Sequence, residues 1–212
     1  MEYLEDIEPS RAEFGDLFDE LPLWSAPFGL LLLDRAPIRS GVTILDVGAG
    51  TGFLTVELAQ RCGPGARVIA VDPWKAGMNR LRRKLDYLGL RNVVLLEQDA
   101  ATVDLAEASI DLVVSNLGIN NFESVRGLLR DAGFRVQDLT TQSFRMRFAD
   151  GSALLRHYFI PRGFVPGWKS VAAADSLPKV FETLERNLNV VAAQRGELAL
   201  TIPIACVEAS RV

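Results

Sequence analysis

Three glycines on alternate positions, Gly48, Gly50 and Gly52, follow directly on a run in which Val42, Ile44, Leu45 and Val47 are apolar and Asp46 is the one acid. Without a Cβ, glycine lets the chain turn tightly and brings backbone N–H groups close to a ligand. Phe53, Leu54, Leu58 and Ala59 then recur as one face of a helix, with Gln60 and Arg61 polar. The first amides of such a helix are unpaired and carry its positive dipole end, so an anion or a carboxylate is expected on the turn. Asp72 stands 20 positions beyond Gly52 and ends a second apolar run, Arg67–Val71. At that offset a nucleotide-binding βαβ unit places an acid for the ribose, because two carboxylate oxygens can accept from both hydroxyls at once. The plainer reading of Asp72 is a solvated turn residue. Asp99 ends a third apolar run, Val93–Leu96, where a carboxylate could accept from an exocyclic adenine amine, and Asn116 and Leu117 follow a fourth, Ile110–Val114.

Strands that alternate with helices require a parallel sheet with right-handed crossovers, and ligands of such sheets bind beyond the carboxyl ends of the strands. Asp46, the glycines, Asp72, Asp99 and Asn116 all fall at that edge. The helix between the second and third strands, Lys75–Tyr87, has Met78, Leu81, Leu85 and Leu88 as its inward stripe and Gly89 as its C-terminal cap. Its outer Arg80, Arg82, Arg83 and Lys84 read as a solvated face, or as a surface for a phosphate-bearing partner.

Ahead of the first strand, residues 1–10 read as a loose acidic arm and Arg11–Glu20 as a helix broken by Pro22. Ser25 is expected to cap a second helix, with Pro27 in its first turn, Leu30 to Leu33 on a buried face and Pro37 as its stop. Trp24 and Phe28 on it are a lid over the ligand or ordinary packing. Beyond residue 122 come a helix at Glu123–Asp131 and strands at Phe134–Leu139 and Ser143–Phe148. A helix at Gly151–Tyr158 and an irregular segment around Pro161, Gly163, Pro166 and Gly167 follow. Next is a helix at Pro178–Gln194, with Val180, Leu184, Leu188 and Val191 inward. A last antiparallel strand runs Leu198–Val207, with Pro203 marking an edge or bulge. The sole histidine, His157, is either a general base or a structural residue.

The 212 residues are 49% hydrophobic, enough for one buried core. A formal charge of -4 offers no general attraction to nucleic acid or anionic lipid, so neither is an expected partner. Cys62 and Cys206 are isolated and show no ligand spacing, so no metal site or disulfide framework is expected. The acidic start lacks the blocks of a secretory signal, and the plain expectation is a soluble cytoplasmic protein.

The run LDVGAGTG resembles the first motif of class I S-adenosylmethionine-dependent methyltransferases, VIAVDPW their second strand with its ribose acid, and EQDA their adenine-edge motif. LPLWSAPFGLLLLDR and IDLVVSNLGINNF are similar to a bacterial branch of the type 11 methyltransferases. The resemblance implies that Asp46 and the backbone of Gly48, Ala49 and Gly50, in the turn closed by Gly52, hold the methionine end of S-adenosyl-L-methionine. It gives both ribose hydroxyls to Asp72, the adenine face to Trp74 or its neighbour Pro73, and the adenine edge to Asp99 with Ala100. Asn116 and Leu117 would line the floor near the sulfonium. The fold implied is α/β: a Rossmann-like, mostly parallel sheet with helices on both faces and a C-terminal antiparallel strand. Residues 1–40 would form a helical lid or extension, and 41–212 one domain.

The chain departs from this family after Phe122, where no Pro-Gly-Gly turn and no fifth parallel strand are found, leaving one strand fewer than the usual seven. Closure by the final hairpin sliding in beside the fourth strand is the favoured outcome. An edge left for another chain is a second, and Phe134–Leu139 in the fifth place a third. The activity implied is methyl transfer to a small-molecule acceptor, with a homodimer as a candidate assembly. No catalytic residue is assigned, since a sulfonium leaving group requires no covalent enzyme intermediate. An impaired S-adenosylmethionine-binding protein that lacks part of its acceptor pocket is the alternative. A dinucleotide oxidoreductase is disfavoured because its glycines are spaced G-x-G-x-x-G.

Overall fold

The computed structural model of the chain describes residues 2–5, 15–16, 24–106, 108–117 and 122–212, with 2 and 122–126 described by their backbone. By compactness the chain divides into one unit of residues 9–141 with 205–212 and another of residues 1–8 with 142–204.

The first unit holds a four-stranded parallel sheet in the order β3-β2-β1-β4, with β1 at Thr43–Val47, β2 at Arg67–Val71, β3 at Val93–Leu96 and β4 at Leu112–Val114. Register fixes which side chains share a face, because successive residues of a strand point to opposite sides. Ile44 lies beside Val68 and Leu112, and Asp46 beside Ala70 and Val114. That face meets three helices: α1 (Ser25–Arg35) through Leu33, α2 (Phe53–Arg61) through Leu54, Leu58 and Ala59, and α3 (Lys75–Leu88) through Met78, Leu81 and Leu85. Asn92 donates to the carbonyls of Ala59 and Gly63 at 3.1 and 3.0 Å, fastening the end of α2 to the start of β3.

The leucine run of α1 departs from expectation. At 100° per residue four consecutive side chains cannot share a face, and Leu31 and Leu33 are buried while Leu30 is 56% exposed. Ser25 is the first residue of the helix rather than its cap, and Trp24 at the cap position makes no side-chain cap bond. In α3 the expected stripe is buried at Met78, Leu81 and Leu85, whereas Leu88, in the last turn, is exposed. Gly89 ends that helix in the left-handed region at φ 66°.

After α4 (Phe122–Asp131), β5 (Phe134–Phe148) and β6 (Leu198–Arg211) form a separate two-stranded sheet. The pairing is antiparallel: Gln137 donates to Ser210, and Arg147 to Glu197. Among the described residues neither strand is hydrogen-bonded to β4, so neither the hairpin nor Phe134–Leu139 takes the place beside it. Arg35, at the end of α1, pairs with Asp138 of β5 and Glu208 of β6.

The second unit is built on α8 (Leu177–Arg195), with the short helices α5 (Gly151–Arg156), α6 (Phe159–Gly163) and α7 (Val165–Lys169). The segment 159–169, expected as irregular, is therefore largely helical. Phe181 of α8 packs with Leu155, Val165 and Tyr3, and the expected Leu184 packs against them, whereas Val180, expected inward, is 40% exposed. Tyr3, in a 3-10 turn at Glu2–Leu4, is buried rather than part of a loose arm. The expected helix at 11–20 lies outside the described residues except for Gly15 and Asp16, which are helical.

Among the described residues no helix is long and apolar enough to cross a membrane, and no three His, Cys, Asp or Glu are grouped to hold a metal ion.

Candidate functional site

The turn between β1 and α2 uses each of its alternate glycines in the left-handed region, with φ of 76° at Gly48, 55° at Gly50 and 89° at Gly52. Side chains with a Cβ rarely adopt this conformation. Its backbone is tied to the neighbouring strand: the amides of Gly48 and Ala49 both donate to the Val71 carbonyl, at 2.9 and 3.1 Å. A Cβ at Gly52 would stand 2.2 Å from Leu81 Cδ1, so this glycine lets α2 and α3 approach. A Cβ at Gly50 would meet nothing within 4 Å, so the crest of the turn is open.

Asp72 follows β2 and reaches this crest. Its Oδ2 accepts from the Gly50 amide at 2.8 Å and its Oδ1 from the Trp74 amide at 2.7 Å. Each oxygen therefore already holds one backbone donor and retains one lone-pair direction. Pro73 is exposed, and the Trp74 ring lies over Gly77, where a Cβ would come within 2.4 Å of it.

Asp46 is buried in the middle of the helix-covered face, 1% exposed, and its Oδ2 accepts from Thr55 Oγ1 at 2.6 Å. Burial pushes its carboxyl up to about 6, against the Thr55 hydroxyl, which lowers it, with the nearby Asp72 raising it further. Asp99 is exposed at the carboxyl edge, where Asp72 N meets Leu96 O at 3.2 Å. Its Oδ1 caps the 3-10 turn Ala100–Thr102 by accepting from the Ala101 amide at 2.9 Å.

On the other side of β1, Ser115 Oγ donates to the Val47 carbonyl at 2.9 Å. Asn116 Nδ2 donates to the Ser25 carbonyl at 3.1 Å, fixing the first turn of α1 at the end of β4. Gly29 makes this contact close: a Cβ there would stand 2.3 Å from the Phe53 ring and 3.0 Å from Asn116 Nδ2. Trp24 and Phe28 pack on each other with ring centroids 5.4 Å apart. Leu117 takes φ 63°, left-handed without being glycine, the kind of local strain that clusters at functional sites.

The structure thus joins Asp72, Trp74 and the glycine turn by direct contact, and Asp46 to the same turn through the strand that precedes it. Asp99 and Ala100 share the edge without a recorded bond to the turn, and Asn116 and Leu117 belong to the α1 side. Thr55, Phe53 and Gly29 were missed from sequence; a threonine in a first helical turn carries no periodic signal that separates a partner of a buried acid from a surface residue. His157 follows α5, accepts from the Phe159 amide at 3.2 Å and meets Phe148 edge-on at 5.6 Å. Of the basic face of α3, Arg80 and Arg83 pair with Asp16 and Arg82 lies 3.6 Å from Glu97.

Residues 44–138 match the family model described as a methyltransferase domain. A malonyl-[acyl-carrier protein] O-methyltransferase from Xylella fastidiosa is 32% identical over 148 residues, which are 70% of this chain and 45% of that protein. A probable cobalt-precorrin-6B C(15)-methyltransferase (decarboxylating) from Saccharolobus solfataricus is 33% identical over 86 residues, 40% of this chain and 43% of that one. The chain thus spans less than half the length of these curated relatives. Among solved structures, the YcgJ protein from Bacillus subtilis aligns with a TM-score of 0.61 at 13% identity, covering 88% of this chain and 99% of that one. A SAM dependent methyltransferase from Aquifex aeolicus aligns with a TM-score of 0.51 at 22% identity, covering 64% and 93%. The segment 44–138 belongs to the class I methyltransferase family, whose methyl donor is S-adenosyl-L-methionine.

Proposed function

We propose that the chain transfers a methyl group from S-adenosyl-L-methionine to a small-molecule acceptor. The observation that carries the reading is the bond between Asp72 and the Gly50 amide, which sets a carboxylate against an open glycine crest at the carboxyl edge of a parallel sheet. The donor set suits an adenosyl amino acid. Free lone pairs of Asp72 accept from ribose hydroxyls, and loop amides with the buried Asp46 carboxylate take the charged amino-acid end. The Trp74 ring supplies an apolar face, and Asp99 a further acceptor for an amine edge.

The cofactor when bound supplies an activated methyl group on an excellent leaving group. The chain's own part is to orient it and to exclude water. The glycine turn and Asp72 fix one end, while α1, held by Asn116, stands where the acceptor would enter. Of the proposed helical lid or extension at residues 1–40, α1 would serve on this side, and Asn116 and Leu117 would line the floor near the sulfonium. A general base is required only for an acceptor that arrives protonated, so none is assigned.

Two measurements test the reading. Titration calorimetry should show binding of S-adenosylmethionine and none of NAD. Methyl transfer from labelled cofactor into a fractionated metabolite extract should exceed a heat-killed control. Binding without transfer would assign the chain to the impaired, cofactor-holding class, and absence of binding would remove the reading.

A further inference from the structure

Asp46 is the one acid on the face of the sheet buried by α1, α2 and α3, and its surroundings offer it little. The residues beside it on the flanking strands, Ala70 and Val114, are apolar. The charged group that acts on it is another acid, Asp72. Among the described residues the compensation comes from Thr55, the third of α2, which is 0% exposed. Its hydroxyl donates to Asp46 Oδ2 at 2.6 Å.

From this geometry we infer that Thr55 is a positioning residue for the amino-acid end of the cofactor. By holding Oδ2 it fixes the Asp46 carboxylate and leaves Oδ1 to pair with the ligand's ammonium at the glycine turn. The inference rests on the cofactor reading above and adds a residue and a direction of action to it. A hydroxyl cannot be replaced here by a methyl without cost, because the buried carboxylate would lose its one side-chain donor among the described residues. An ammonium arriving beside Asp46 favours the ionised form, so affinity for a ligand with that group should rise as the pH climbs through about 6. A ligand lacking the group should show no such rise. In Thr55→Val the desolvated carboxyl loses the donor that lowers its pKa, and the rise should move to higher pH.

The test is calorimetric titration of the full chain with two probes, S-adenosylhomocysteine, which carries the amino-acid end, and 5′-methylthioadenosine, which lacks it. Thr55→Val should weaken the first roughly tenfold, the scale of a lost hydrogen bond to a charged group, and leave the second within about twofold. Thr55→Ser, which keeps the hydroxyl, should restore most of the loss. Equal weakening of both probes, or unchanged affinity for S-adenosylhomocysteine, would overturn the inference while leaving the cofactor reading in place. Failure of the unaltered chain to bind either probe would overturn both. If Thr55→Val does not fold, the unaltered chain decides: a flat profile for S-adenosylhomocysteine between roughly pH 5 and pH 8 counts against the linkage.

Discussion

At the scale of single residues, Asp72 has two tasks that a substitution will reveal separately. Asp72→Ala removes the acceptor of the Gly50 and Trp74 amides as well as any ribose contact, so it should weaken S-adenosylmethionine binding by about 1.5–3 kcal/mol and lower the melting temperature. Asp72→Asn keeps one acceptor oxygen and should lose less of both; calorimetry and thermal melts read the two effects apart. Asp46 carries a pH signature. Its folded carboxyl sits near 6, above the ordinary 3.8, so the folded state holds the proton more tightly than the unfolded one. The associated stability is full below the unfolded value and is lost as the pH rises through the folded one. Asp46→Asn has no such loss, and urea melts should show its stability relative to the unaltered chain growing by about 2–3 kcal/mol between pH 4 and pH 7. Spacing made these two acids and the glycines legible, because a left-handed turn demands glycine and a βαβ unit fixes the offset of the acid. That Asp72 is already engaged by the loop's own amides was not legible, since a carboxylate at a strand end reads the same whether a ligand or the backbone fills its lone pairs.

At the scale of elements, Gly52 is the tightest constraint near the site. Gly52→Ala would place a methyl 2.2 Å from Leu81 Cδ1 on a backbone at φ 89°. Left-handed strain and overpacking together should cost about 2–4 kcal/mol, measurable as a lowered denaturant midpoint with an unchanged slope. The central strands and α3 were readable because their apolar residues recur with one period and end at Gly, Asp or Gly-Pro signals. The final strands were not. Thr140, Thr141 and Gln142 read as a polar break, yet β5 is continuous through them. Threonine is β-branched and fits an extended, half-exposed strand as readily as a turn. In α8 a shift of one position exchanged Val180 for Phe181 as the buried residue, since several neighbouring apolar positions fit one helical stripe.

At the scale of the whole molecule, the unit made of residues 1–8 and 142–204 is closed on a single carboxylate. Glu185 accepts from Tyr3 Oη at 2.8 Å, Ser152 Oγ at 2.6 Å and Arg156 Nη1 at 2.7 Å. The hydroxyl of Ser152, the guanidinium of Arg156 and Tyr3 hold it down at about 2, while burial and Glu185 push the Tyr3 phenol up to about 12. A depressed carboxyl stabilises above its unfolded value and loses that contribution as the pH falls through the folded one. The difference in stability between the unaltered chain and Glu185→Gln should therefore be about 2–3 kcal/mol at neutral pH and shrink from pH 4.5 toward pH 2. Tyr3→Phe keeps the packing against Phe181 and gives up one donor, for about 1–1.5 kcal/mol by denaturant melts. An acidic opening of ten residues gave no sign of this, because one buried aromatic in a polar stretch has no periodicity to betray it.

The placing of the three tryptophans has a practical outcome. Trp74 lies at the glycine crest, Trp24 pairs with Phe28 on α1, and Trp168 stacks on Phe164 in the other unit. An aromatic base arriving beside Trp74 should quench its fluorescence. With Trp74 replaced by Phe, the residual emission change would report on Trp24 and Trp168, giving the molecule an optical readout of occupancy that requires no label.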